Sequence, residues 1–387
     1  MSLLTRSERQ RYARHLALPE VGEAGQLALR EARVLLVGAG GLGAPAAMYL
    51  AAAGVGTLGL IDHDRVELAN LQRQLLYRQA DVGRPKLEAA RETLAGVNPH
   101  VQIECHEAWL GAANALELFS GYDIVLNGCD NFPTRYLVND ACVLLGKPCV
   151  DGSVYRFEGQ VTVYDTAAGG PCYRCRFPQP PPPELAPDCA AAGVFGVTAG
   201  VVGTLMAAET LKWLWRRAGL ARIETLVGRA LLIDLLTADL FNLTLRRDPD
   251  CPVCGPRPTI TELVDGQQFC GGAAEAVAAD PAAWEVSVEE LAARLAAGES
   301  VTLVDVREPW EWQTARLAGA RLLPLAELVE RAAELPRGGP LVLHCHHGVR
   351  SLRAVALLAQ RGFANARSLR GGIDAWSRQI DPGVPRY

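Results

Sequence analysis

An apolar run, Arg33-Val-Leu-Leu-Val37, that breaks on Gly38-Ala-Gly-Gly-Leu-Gly43 leaves this chain few ways to fold. The run reads as a strand and the glycines as a tight turn. The next segment reads as a helix, and a second apolar run ends in Ile61-Asp62-His63-Asp64. Gly38, Gly40 and Gly43 fit G-x-G-x-x-G, with Gly41 inside the same turn. Missing Cβ atoms let backbone N–H groups and a helix N-terminus approach a phosphate. Asp62, about 20 residues beyond the glycines, stands where an acidic side chain hydrogen-bonds a ribose hydroxyl. The segment therefore predicts a nucleotide site in an α/β sheet. It does not choose between NAD, FAD and ATP, and its bland rival is a glycine turn that only packs a helix on a sheet.

At 387 residues the chain has room for two or three domains. A formal charge of −5 and a pI near 5.9 give no general basic surface, so neither nucleic acid nor anionic membrane is an expected partner. The N-terminus turns polar and charged at once, without the apolar core of a signal peptide, which places the protein in the cytoplasm. Residues 190 to 208 carry no charge and approach membrane-spanning length. Four glycines (193, 196, 200, 203) and the flanking Asp188 and Glu209 favour a buried helix instead.

Residues 5 to 31 read as amphipathic helix, carrying Arg14. Beyond the glycine unit, Asn70, Arg73 and Lys86 fall within a short interval, followed by a helix to about Asn98. A strand from Val101 to Cys105, a helix from Leu110 to Phe119 and a strand from Tyr122 to Asn127 come next. The last ends in Gly128-Cys-Asp-Asn131, which sets Asp130 at the carboxyl end of a strand, where ligands of open α/β sheets gather. After a helix near Pro133 and a strand from Pro148, the alternation Gln160-Val-Thr-Val-Tyr164 predicts an antiparallel strand. Prolines 178 and 180 to 183 predict an exposed loop over 177–192 carrying Cys189. Strands are expected near 223–235 and 240–246, then a linker over 257–284. Strands at Val301–Val306 and Leu341–Cys345 open a smaller α/β domain over 285–387.

Two constellations carry chemistry. Cys172-x2-Cys175 and Cys251-x2-Cys254 supply four thiolates, the set that holds tetrahedral Zn²⁺ with no position left open, so the metal is structural. A redox C-x-x-C is the rival; eleven cysteines in a cytoplasmic chain point to metal or thiol chemistry rather than disulfides. In the second domain, Leu341-Val-Leu-His-Cys-His-His-Gly-Val-Arg350-Ser351 ends a strand, turns and starts a helix. Cys345 then lies in a ring of backbone N–H groups with Arg350 closing it, an environment that favours a thiolate nucleophile. The C-x4-R loop is one residue shorter than that of Cys-based phosphatases and better suits a persulfide than a phosphate ester.

The Cys345 loop, together with Asp305-Val-Arg-Glu-Pro-Trp-Glu-Trp312 and Leu369-Arg-Gly-Gly-Ile-Asp-Ala-Trp376, resembles the rhodanese sulfurtransferase domain. Over residues 1–256, the set Arg14, Gly38 to Gly43, Asp62, Asn70, Arg73, Lys86, Asp130 and the paired C-x2-C motifs resembles the MoeB/ThiF family, relatives of ubiquitin-activating enzymes. The resemblance implies a Rossmann-like ATP-binding domain with a mixed sheet and structural zinc. It implies ATP rather than NAD, and a substrate that is the C-terminal glycine of a ubiquitin-like sulfur carrier. In that family Arg73 and Lys86 meet the phosphates, Asp130 holds Mg²⁺, Asp62 fixes the ribose and Asn70 helps position the phosphates. The arginine matching Arg14 reaches the neighbouring subunit's site, which implies a homodimer. Cys189 matches a loop cysteine that forms a thioester in eukaryotic relatives, against the alternative of an exposed bystander.

The chain is therefore expected to adenylate a sulfur carrier and deliver sulfur from a Cys345 persulfide, itself charged by a donor such as a cysteine desulfurase. Such carriers serve molybdenum-cofactor, thiamine or tRNA-thiolation pathways. An NAD-dependent oxidoreductase is the alternative that the glycines permit, but it leaves Arg73, Lys86, the zinc set and the second domain unexplained. A non-catalytic carrier-docking module leaves the phosphate-handling set unexplained.

Overall fold

The computed structural model describes residues 3–180, 193–220, 223–264 and 284–386. The chain divides into two compact units, Met1–Phe269 and Cys270–Tyr387. The expected linker falls largely, over 265–283, outside the described residues, as does 181–192 of the expected proline-rich loop.

The first unit is built on eight strands: β1 (Arg33–Val37), β2 (Thr57–Ile61), β3 (Gln102–His106), β4 (Ile124–Asn127), β5 (Cys149–Tyr155), β6 (Glu158–Tyr164), β7 (Arg229–Asp234) and β8 (Asp239–Thr244). Their order is β3-β2-β1-β4-β5-β6-β7-β8. Pairing is parallel from β3 to β5 and antiparallel from β5 to β8, a mixed sheet. β1 is buried on both sides: Val34 and Leu36 enter one core cluster, Leu35 and Val37 the other. That explains its unbroken apolar run, since a parallel strand covered on both faces has no polar side to show. Strand order reverses at β1, and Val37 registers with Ile61 on one side and Asn127 on the other. The residues following these three, from Gly38, Asp62 and Gly128 onward, therefore emerge together at one sheet end, the usual ligand crevice.

The helix Gly43–Ala53 is rich in alanine and ends on Gly54 at φ 82°. Residues 196–208 of the uncharged stretch lie in the helix Gly196–Arg217, which buries Thr198, Ala199, Val202, Gly203 and Met206. Two of its glycines are contact points: a Cβ on Gly203 would lie 2.3 Å from Leu42 O, and one on Gly196 2.4 Å from Gln72 O. No helix among the described residues is long and apolar enough to cross a membrane. The expected helix over 5–31 is broken into Arg6–Arg11, Ala13–Leu16 and Gly22–Glu31, with Gly22 at φ 56° opening the third. The strand expected from residue 223 starts at Arg229, after a turn through Gly228 at φ 77°.

The second unit has five parallel strands, β9 (Glu285–Val286), β10 (Thr302–Asp305), β11 (Arg321–Leu322), β12 (Leu341–His344) and β13 (Ala366–Leu369), in the order β11-β10-β12-β13-β9. The middle strand, β12, is apolar and fully buried, and it hands the chain directly to Cys345. β13 escapes a periodicity reading because Ala366-Arg-Ser-Leu is too short and too polar; Ser368 is buried against another hydroxyl rather than exposed.

Candidate active sites

Above the carboxyl ends of β1, β2 and β4 opens a cavity of about 790 Å³. Its wall includes Gly38, Gly40, Gly41, Asp62, Arg73, Lys86 and Asp130, seven of the residues singled out from sequence. The glycines form the tight turn their spacing implies. Gly38 has φ 89°, and a Cβ on Gly43 would fall 2.0 Å from Gly38 O, so the helix can begin hard against the turn only without one. Tyr77 donates its hydroxyl to Ala39 O at 2.8 Å and pins the turn from below.

Asp62 is spoken for on both oxygens: Oδ2 accepts Ala39 N–H and Oδ1 accepts Asp64 N–H, each at 2.9 Å. The carboxylate is thereby held between the end of β2 and the glycine turn. Lys86 is buried at the start of the helix Lys86–Val97, with Nζ 2.7 Å from Asp64 Oδ2 and 3.8 Å from Asp62 Oδ2. A buried ammonium needs such partners, and the pairing points its charge into the cavity wall. Arg73 is half-buried, with Nη1 donating to Ala69 O at 3.1 Å. Asp130 is exposed at the mouth. Its neighbour Asn131 caps the helix Phe132–Leu144 by accepting Thr134 N–H at 2.9 Å, which fixes the loop after β4.

Asn70 and Arg14 are not on this wall. Asn70 is buried and its Oδ1 accepts Glu67 N–H at 3.1 Å, closing a local turn; Arg14 is exposed on the short helix Ala13–Leu16. Cys189 lies outside the described residues. Sequence reasoning passed over several wall residues. Arg135 and Asp151 form a buried ion pair, Nη1 to Oδ2 at 2.6 Å, with Asn127 Nδ2 donating to Asp151 Oδ1 at 2.8 Å. Gln74, buried on the wall, has an Oε1 without a partner. Trp109 stands with its ring 4.2 Å from that of His63. The adjacency of Asp64 to Asp62 and of Gln74 to Arg73 was the only available signal.

The four motif cysteines meet. Sγ of Cys172 lies 3.5 Å from that of Cys251 and 3.9 Å from that of Cys175, which is 3.4 Å from Cys254. A tetrahedron with metal–sulfur bonds of about 2.3 Å has edges of about 3.8 Å, so the cluster has the size and donor set for one zinc ion. Burial, then the sulfurs of Cys175 and Cys251, push Cys254 up to about 12, while the hydrogen bond from Cys172 pulls Cys175 down to about 5. Packed so closely, the sulfurs cannot all ionise without a cation among them.

In the second unit Cys345 follows β12 and is 1% exposed. Its sulfur accepts Gly348 N–H at 3.1 Å and faces Ser351 Oγ at 3.6 Å, and Ser351 Oγ is 2.9 Å from Ser368 Oγ. Gly348, at φ 97°, heads the helix Val349–Ala359. The Gly371-Gly372 turn braces the loop from behind: Ile373 N–H reaches Cys345 O at 2.9 Å and Asp374 N–H reaches His346 O at 3.1 Å. Burial, then the charge of His347, pushes His346 down to about 4. Arg350 donates through Nη1 and Nη2 to Glu311 Oε2 and Oε1, both at 2.7 Å. The guanidinium expected to face an anion is thus gripped by a carboxylate of the Glu-Pro-Trp-Glu segment, a partner that sequence reasoning did not assign.

Residues 12–253 match the model of the ThiF family, and residues 287–379 match that of the rhodanese-like domain. The chain is 46% identical over 391 residues to the probable adenylyltransferase/sulfurtransferase MoeZ of Mycobacterium tuberculosis, covering 100% of this chain and 97% of that protein. It is 44% identical to the adenylyltransferase and sulfurtransferase MOCS3 of Anopheles gambiae, covering 99% and 90%. The sulfur carrier protein adenylyltransferase of Thermus thermophilus is 54% identical over 69% of this chain and 98% of its own length. Among solved structures, E. coli MccB superposes with a TM-score of 0.56 at 23% identity, covering 63% of this chain and 75% of that one, a likeness of fold.

Proposed function

This chain belongs to the ThiF family and ends in a rhodanese-like domain, and from that premise we propose that it activates the C-terminal carboxylate of a ubiquitin-like sulfur carrier with ATP and then converts it to a thiocarboxylate. The observation that carries the reading is the union in one chain of the cavity wall of Gly38, Asp62, Arg73, Lys86 and Asp130 with a buried cysteine whose sulfur accepts the Gly348 N–H at the head of a helix. An NAD-dependent oxidoreductase would use the glycine turn and Asp62 but has no need of Arg73, Lys86 or the cysteine.

In the first half-reaction a carrier carboxylate oxygen attacks the α-phosphorus of ATP and pyrophosphate leaves. Two anions must be brought together, so the work falls to groups that neutralise and position. Arg73 and Lys86 are assigned to the phosphates, Asp62 to the ribose and the glycine turn to backbone contacts, with Asn70 and Arg14 in supporting roles. Asp130 is the ligand assigned to Mg²⁺, which would supply further charge neutralisation when bound. The four cysteines are assigned to a structural Zn²⁺.

In the second, the outer sulfur of a Cys345 persulfide attacks the activated carbonyl carbon, and AMP leaves with the C–O electron pair. The carrier is then joined to Cys345 through an acyl disulfide. A second thiol attacks Sγ of Cys345, releasing the carrier thiocarboxylate and forming a disulfide. Cys189 is the candidate for that thiol on sequence grounds. A cysteine desulfurase is the proposed persulfide source, and the enzyme is proposed to work as a cytoplasmic homodimer in molybdenum-cofactor, thiamine or tRNA-thiolation chemistry.

Carrier-dependent exchange of pyrophosphate into ATP tests the first half. Arg73→Ala should lower it by about 10²-fold or more, and absence of exchange with every ubiquitin-like carrier tried would sink the reading. Cys345→Ala should abolish sulfur transfer to cyanide while leaving exchange intact; retained transfer would remove Cys345 from the mechanism.

A further inference from the structure

We propose that Glu311 sets the class of sulfur donor: by holding Arg350 in a neutral pair, it turns the Cys345 loop away from dianionic donors such as thiosulfate and toward a persulfide carried on a thiol, R–S–SH. The inference rests on the sulfurtransferase reading above and concerns only the donor.

The pairing is fork to fork, two contacts of 2.7 Å, between side chains 18% and 4% exposed. Bidentate guanidinium–carboxylate contacts are among the stronger polar interactions, and they strengthen as water is excluded. Glu311 is also anchored locally, since Oε2 accepts Glu308 N–H at 3.0 Å in the first turn of the helix Pro309–Thr314. An incoming anion would have to pull Arg350 from a partner that is itself fixed. The other cations at the loop are more exposed, more than half so, and share one carboxylate. Asp374, whose N–H reaches His346 O, holds Arg378 at 2.8 Å and Arg386 at 3.1 Å, with His347 Nδ1 at 3.8 Å. His346, pushed down to about 4, is neutral near pH 7.

The two donor classes differ in the charge the loop must hold. With thiosulfate, the Cys345 thiolate attacks the outer sulfur, the S–S bond breaks and sulfite leaves with the electron pair. Three negative charges then meet at one loop. With R–S–SH the same attack expels R–S⁻, the outer sulfur stays on Cys345 as a persulfide, and a single negative charge is passed along. A free Arg350 would favour the first reaction, whereas an Arg350 cancelled by Glu311 leaves one backbone N–H and one hydroxyl at the sulfur, which suffice for the second. The cradle around Sγ, Gly348 N–H and Ser351 Oγ, is of that modest kind.

The test compares kcat/KM for persulfide formation on Cys345 in the full-length protein, using the dianion thiosulfate and N-acetylcysteine methyl ester persulfide, which carries no charge beyond that of its own persulfide group, with Cys345→Ala as baseline. Glu311→Gln should raise the thiosulfate-to-persulfide ratio by about tenfold or more, the equivalent of one freed charge contact. Glu311→Asp, which keeps the charge but cannot keep both contacts, should raise it less. Adding Arg350→Gln to Glu311→Gln should cancel the gain. An unchanged ratio, or a fall in both donors together, would mean that the ion pair only holds the loop and would overturn the inference. Should these variants fail to fold, the unaltered chain still decides. Its thiosulfate kcat/KM should hold or rise as salt is raised from about 50 to about 500 mM, where screening is nearly complete, and a steep fall would mean that Arg350 is free. A wild-type protein inactive with both donors would overturn the sulfurtransferase reading and this inference together.

Discussion

His344 carries an ionisable ring into the core of the second unit without a hydrogen bond to either nitrogen. The nearest carboxylate oxygen, Asp305 Oδ2 at 3.7 Å, is already paired with Arg307. Burial pushes the imidazole down to about 4 from its ordinary 6.5, against the pull of Asp305. Between those values the unfolded chain binds a proton that the native one refuses, so stability rises with pH. The contribution is complete above about pH 6.5 and is lost as pH falls toward 4, and at its largest it is on the order of 3 kcal/mol. His346 adds a smaller term of the same sign, being only half-buried. The melting temperature of the second unit should therefore drop as pH is lowered from 7 to 5.5, and His344→Leu should flatten that slope. An unaltered slope in the variant would place the acid sensitivity elsewhere. The residue just before Cys345 is, in this light, a packing residue whose cost is offset by the strand it completes.

At the scale of elements, the helix Gly196–Arg217 separates two uses of glycine that the sequence cannot distinguish. Gly203 faces the helix Gly43–Ala53, where a Cβ would lie 2.3 Å from Leu42 O and 2.5 Å from Pro45 Cγ, whereas Gly200 meets nothing within 4 Å. Gly203→Ala should cost about 1–3 kcal/mol by forcing the helices apart. Gly200→Ala, which gains helix propensity without a clash, should stabilise by up to about 1 kcal/mol. Urea unfolding of both variants checks the pair, and equal effects would mean that the helices do not meet as described. The same contrast marks what was legible in advance. β1 emerged with both ends correct because a doubly buried parallel strand must be apolar throughout and here stops on a glycine of positive φ. The strand β13 was missed because its buried positions include Ser368, whose partner is supplied by Ser351 from another element. Motif residues that project from strand ends, such as Asp62 and Cys345, could be found from spacing. Their counterparts Glu311, Gln74 and the Arg135–Asp151 pair could not, because nothing local announces which charge a given side chain will meet.

Taken whole, the chain places its four-cysteine cluster and its buried histidine in different units, each with its own core clusters. Cys172 and Cys175 follow β6, while Cys251 and Cys254 follow β8, so one ion would clamp together the segments that leave two strands of the antiparallel half of the first sheet. Binding energy at such a site is folding energy for the segment it ties. Calorimetry at pH 7 should then show two transitions. A strong zinc chelator should lower one of them, and Cys251→Ser should lower the same one while reducing bound zinc from about one ion per chain to near zero. The other transition should ignore the chelator and answer to pH through His344. The direction of cross-talk is the informative part: zinc removal that also lowers the sulfur-transfer rate, at temperatures below both transitions, would mean that the effect of the metal is not confined to the first unit. A chelator that moves neither transition would leave the four sulfurs as a reduced thiol cluster, and the structural-zinc assignment would fall.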